Sequence, residues 1–216
     1  MSVIRQPGVL GRTTRRRVVG VTGALATATI ETVAVGLWFL LVVESRSTTT
    51  ALAGLTILFL GSTLRTGLFF VLVDDLVDLL QPRRIGAALA LTAGWLGWLF
   101  VAESIGGTVG IVVATVVLAP ALVVQLFAER RACRVGCRPA SNSVLPLVLP
   151  ALLLAVGASS LLASAWLTDW SIVTPPLGLE GTAIALRIEA IQVGLLVFGL
   201  FAFLAHQRRF QRVIDP

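Results

Sequence analysis

Apolar residues in this chain neither alternate nor recur at helical spacing; they run on in long blocks, and the polar residues collect between the blocks. A helix rises 1.5 Å per residue, so crossing about 30 Å of hydrocarbon takes roughly 20 mostly apolar residues. Six blocks meet or approach that length, over about 18–43, 51–73, 85–102, 106–128, 145–167 and 183–205. The pattern predicts an all-α, polytopic integral membrane protein, a bundle of six transmembrane helices. Only Glu103-Ser104-Ile105-Gly106 separates the third block from the fourth, and arginine parity divides them. Arg83 and Arg84 precede the region and Arg130, Arg131, Arg134 and Arg138 follow it. If arginine-rich loops stay inside, the segment between them crosses an even number of times, with a tight turn at Gly106-Gly107.

The remaining arginines agree with that topology. Arg5, Arg12, Arg15, Arg16 and Arg17 precede the first span, and Arg208, Arg209 and Arg212 follow the last. The expected organisation is a cytoplasmic basic segment over 1–17, a membrane domain over 18–207 and a cytoplasmic basic tail over 208–216, in the plasma membrane. Trp38, Phe39, Trp95, Trp98, Trp166 and Trp170 all fall toward the outer side, where an aromatic belt is expected. Arg15 and Arg16 before an apolar segment resemble a twin-arginine signal. Cleavage near Ala26 or Ala28 would strand an apolar remnant too short to span, so an uncleaved anchor is expected.

Composition places the chain in a bilayer: 56% of residues are hydrophobic, 13% are charged and the mean hydropathy is +0.94. The net charge of +6 does not imply nucleic acid, because most of the 17 basic residues, all arginine, lie in short clusters between the apolar runs. Those clusters can attract anionic lipid headgroups. The absence of lysine excludes lysine Schiff-base chemistry, and two cysteines with one histidine leave too few ligands for a closed zinc or bis-histidine haem site. No cofactor is expected.

Helices in lipid associate through close backbone packing and polar contacts. Gly23, Thr27 and Glu31 share one face of the first span; Gly86, Ala90 and Gly94 line the third; Gly106, Gly110 and Ala114 line the fourth. In the second, Gly54, Gly61 and Arg65 share a face, so Arg65 points toward protein. Its expected partner is Glu31. Counted inward from Val43 and Ala51, Glu31 lies 12 residues deep and Arg65 14, a difference of about 3 Å along the axis. Intramembrane ionisable groups mark ion or substrate paths, and they also fix helix register.

A second charged set lies further out. Arg187, Glu189 and Gln192 open the sixth span, with Glu189 and Gln192 on one helical face and Arg187 turned away from Glu189. Glu103, at similar depth, could complete an outer vestibule with them. IETVAVGL at 30–37 and IEAIQVGL at 188–195 share letters in helices of opposite direction, too few to establish an inverted repeat.

Asp74, Asp75 and Asp78 match the DDxxD pattern of isoprenyl diphosphate chemistry, in which carboxylates hold magnesium against a diphosphate, but no second acidic cluster accompanies them. Cys133 and Cys137 sit four apart among arginines and read as two reduced thiols. His206 reads as an interfacial residue, and Ser159, Ser160 and Ser164 as hydroxyls bonded to helix carbonyls. Three functions follow. The first is a small proton- or cation-linked transporter or channel using Glu31 and Arg65. The second is a noncatalytic scaffold or accessory subunit, alone, as a homo-oligomer or with a membrane partner. The third is a lipid-diphosphate enzyme acting through Asp74, Asp75 and Asp78.

Overall fold

Where the hydropathy blocks lie, the backbone is helical. The computed structural model describes residues 8–44, 47–73, 82–132, 144–175, 177–179, 182–185 and 187–214. Its helices are α1 (Gly8–Glu44), α2 (Thr48–Val73), α3 (Pro82–Ile105), α4 (Gly107–Ala132), α5 (Leu145–Trp166) and α6 (Ala190–Ile214). Each of the six contains a stretch long and apolar enough to cross a membrane. Each packs against the next in sequence and α6 returns to α1, so the helices form a closed ring.

The turn between α3 and α4 forms at the predicted place. Gly106 and Gly107 have φ of +74° and +58°, a backbone region in which a Cβ is strained. Gly110 lets α4 fold back against the Ala102 carbonyl, 2.6 Å from where its Cβ would stand. Gly61 does the same for α1 and α2, since a Cβ there would overlap that of Ala34. The seams on α1, α2 and α4 therefore face protein, with Gly23, Thr27, Gly54, Gly61, Gly110 and Ala114 all buried. The expected seam on α3 does not. Gly86 and Ala90 are exposed and nothing lies within 4 Å of a Cβ at Gly86 or Gly94, because that face turns out of the ring.

Two expectations fail at the end of the bundle that carries the α5–α6 connection, here the hairpin end. The sixth helix begins at Ala190 rather than near 183, because the residues before it pair as strands. β1 (Ser171–Val173) runs antiparallel to β4 (Arg187–Glu189), and β2 (Leu177–Leu179) to β3 (Thr182–Ile184), giving two nested ribbons. Ile172 opposes Ile188, a β-branched pair that suits a strand better than a helix. The aromatic belt fails as well. Trp38, Phe39, Trp95 and Trp98 are at most 1% exposed.

These rings fill the inside of the helix ring instead. Trp95 meets Trp98 edge-on at 5.5 Å and Phe198 edge-on at 5.7 Å, and Phe39 lies 6.4 Å from Trp98. The pairs join α1, α3 and α6 through a buried apolar core, in the offset and edge-to-face arrangements that aromatic quadrupoles favour. Trp166 is half-buried and Trp170 is 42% exposed, so these two alone of the six keep an edge in contact with the surroundings.

Candidate functional site

Toward the opposite end, here the basic end, the ring interior changes from aromatic to ionic. Glu31 on α1, Arg65 on α2, Glu129 on α4 and His206 and Arg209 on α6 are all buried, none more than 7% exposed. Arg65 Nη1 lies 3.2 Å from Glu31 Oε1, so the two groups matched by depth do meet. His206 Nε2 reaches the other oxygen of Glu31 at 2.6 Å. Arg209 Nη2 donates to Glu129 Oε2 at 2.7 Å, and Arg65 Nη2 stands 3.8 Å from Glu129 Oε1. Gln125, one turn before Glu129, donates from Nε2 to the Ala87 carbonyl at 2.6 Å and to Glu129 Oε1 at 3.2 Å, tying in α3.

The cluster exists because helices extend past the points where hydropathy stops. α4 runs to Ala132 and α6 to Ile214, so Glu129, His206 and Arg209 lie within helices and turn inward. His206 and Arg209 are three apart, and Gln125 and Glu129 four, which places each pair on one helical face. Arg65 lies eight residues before the end of α2 and His206 eight before the end of α6, about 12 Å of helix in each case. His206 and Arg209 are thus buried within the bundle, and neither is a solvated side chain. Arg84 of α3 is also buried, and it is engaged.

Chemically, the cluster sets two carboxylates against two guanidinium groups and adds one imidazole. Burying a carboxylate without a partner is prohibitive, and both are paired here. Two further polar ties brace the ring. Thr92 donates to Ser62 at 3.3 Å between α3 and α2, and Thr115 and Ser159 share a short hydrogen bond between α4 and α5. Ser159, Ser160 and Ser164 bond to the carbonyls of Ala155, Gly157 and Leu161, as expected of hydroxyls in an apolar helix.

The outer set is organised differently from the expected vestibule. Arg187 and Glu189 occupy β4, where residues two apart share a face, and Arg187 Nε lies 3.1 Å from Glu189 Oε1. The pair is solvent-facing, with side chains 64% and 45% exposed. Gln192 is exposed and its Oε1 accepts the Glu189 backbone N–H at 3.4 Å, at the start of α6. Glu103 lines a separate open cleft of about 470 Å³ with Phe100, Ser104, Gly106, Gly107, Trp166 and Leu167. Glu31 sits in mid-helix and Glu189 in a strand, so the shared letters around them do not mark equivalent positions. Asp74, Asp75 and Asp78, like Cys133 and Cys137, lie outside the described residues. The chain matches no protein-family model, no curated protein and no solved structure.

Proposed function

We propose that this is a multi-pass protein of the plasma membrane, with both termini cytoplasmic, that carries protons or a proton-coupled solute through the Glu31–His206 pair. The observation that carries the reading is the 2.6 Å contact between Glu31 and His206, the only histidine of the chain, inside a buried cluster. Two arginines already balance two glutamates, so a knot that served only to hold helices would need no fifth ionisable group. Histidine is the side chain whose ordinary titration falls near physiological pH, and here it would switch the cluster between charge 0 and +1. Intramembrane ionisable groups facing a bundle interior are the usual elements of proton relays. Arg17, Arg131 and Arg208, exposed at the basic end, suit anionic headgroups on the cytoplasmic leaflet.

The test is flux in proteoliposomes with an internal pH dye, comparing wild type with Glu31→Gln and His206→Gln. The expected outcome is a proton flux lost in both variants while each remains folded. A second reading has its own observation: the ion pairs fasten α1, α2, α4 and α6 together, as a scaffold or accessory subunit requires. Absence of wild-type flux under proton and sodium gradients, with both variants losing only thermal stability, selects that reading.

A further inference from the structure

Two arginines serve the buried carboxylates, and they are held differently. Arg209 makes an aligned 2.7 Å hydrogen bond to Glu129. Arg65 approaches both carboxylates, at 3.2 and 3.8 Å, yet none of its three guanidinium nitrogens forms an aligned hydrogen bond to a described residue. Glu31 Oε1 accepts none either. Arg65 is thus the shared cation of the cluster, attracted to two sites and locked into neither.

His206 supplies the complementary feature. A carboxylate only accepts, so a neutral imidazole facing Glu31 carries its hydrogen on Nε2 and leaves a lone pair on Nδ1. Nδ1 is buried, and no described residue donates to it. Nδ1 is therefore an open proton acceptor inside the cluster.

We infer that Arg65 is a proton-controlled latch, released from Glu31 toward Glu129 when His206 becomes charged; this rests on reading Glu31–His206 as the proton-binding pair. With His206 neutral, Glu31 depends on Arg65 as its counter-ion. A proton taken from the aqueous phase onto Nδ1 makes an imidazolium, whose Nε2–H neutralises Glu31 through the hydrogen bond already in place. Three cations then face two anions, and like-charge repulsion drives Arg65 toward Glu129 Oε1. The tie between α2 and α1 weakens, the tie between α2 and α4 tightens, and α1 is left held by α6. The facing groups are Glu31 from α1, Arg65 from α2, Gln125 and Glu129 from α4 and Arg209 from α6. Arg84 of α3 is buried and engaged, and α5 has no ionisable side chain.

The single histidine makes the test direct. Protein labelled with 15N-histidine in bilayers gives one imidazole, whose Nδ1 and Nε2 shifts report tautomer and charge across about pH 5 to 8. Double-mutant cycles of Arg65→Gln with Glu31→Gln and with Glu129→Gln, read as thermal midpoints, follow the latch on either side of that transition. The expected result is a swap. As pH falls, the Arg65–Glu31 coupling drops by a few degrees of Tm and the Arg65–Glu129 coupling rises by as much, and in His206→Gln neither changes. A His206 that does not titrate overturns the latch together with the transport reading. Couplings that stay constant while His206 titrates overturn the latch alone, leaving flux to be judged separately. A swap without flux supports the latch and removes transport. If a glutamine variant does not fold, infrared difference spectra of 13C-glutamate-labelled wild type and His206→Gln replace the cycles. Two carboxylate bands moving with the histidine support the latch, and one band moving overturns it.

Discussion

Arg65 and Glu31 stand 3.2 Å apart and Arg187 and Glu189 stand 3.1 Å apart, yet these two ion pairs do different physical work. The first is about 2% exposed on each side, the second 64% and 45%. Distance alone would rank them equal. Water decides otherwise: around the ribbon pair it screens the attraction and solvates either partner left alone, so the geometry is nearly free to form and nearly free to lose. Inside the ring, each charge has exchanged its hydration for its neighbours. Removing one leaves the cluster with an uncompensated charge where no solvent can reach it.

The sharpest way to break this comparison is to remove one charge from the buried pair. Arg65→Gln or Glu31→Gln is expected to destabilise the protein by about 3 to 5 kcal/mol, read as thermal unfolding in detergent, because each leaves an uncompensated buried ion. The double variant should lose clearly less than the sum of the two. Strict additivity would mean that the pair is not coupled and that burial is not the deciding difference. A smaller effect sharpens the picture of the neutral bracing. Gln125→Leu should cost about 1 to 3 kcal/mol, since Glu129 loses a donor and α4 loses its tie to Ala87. Thr92→Val, which removes the 3.3 Å hydrogen bond to Ser62 together with the 2.9 Å bond to the Ala88 carbonyl of its own helix, should cost about 1 kcal/mol by the same measurement. Arg187→Gln closes the series with a change of at most about 1 kcal/mol, vanishing in high salt. A larger loss there would place the ribbon pair against something it does not touch in this structure.

Legibility followed the same division between solvent and interior. The Glu31–Arg65 contact was readable because both residues sit within long apolar runs where depth can be counted from the ends, and because Gly61 marks the close approach of α1 to α2. The other half of the cluster was hidden by its position. Glu129, His206 and Arg209 lie where hydropathy falls and arginines accumulate, and a charge at a helix end is equally at home in headgroups and in a protein interior. Their pairing at helical spacing, Gln125 with Glu129 and His206 with Arg209, was the available signal. It remained ambiguous until the lengths of α4 and α6 were known. The tryptophans misled for a related reason. Hydropathy gives a residue's depth in the bundle, but whether Trp95 faces lipid or protein depends on which neighbours close around it.

By itself, the sequence determined the number of apolar helices, the tight turn at Gly106-Gly107 and the burial of Arg65, because chain length against bilayer thickness and the cost of a cation in hydrocarbon are properties of local sequence. Only the tertiary structure decided that Trp95, Trp98 and Phe198 fill the ring, that 187–189 pair as a strand, and that Glu129, His206 and Arg209 join Glu31 and Arg65. Those outcomes depend on the closure of α6 onto α1, which brings together groups 175 residues apart in the chain. Periodicity within a segment carries no information about contacts of that range.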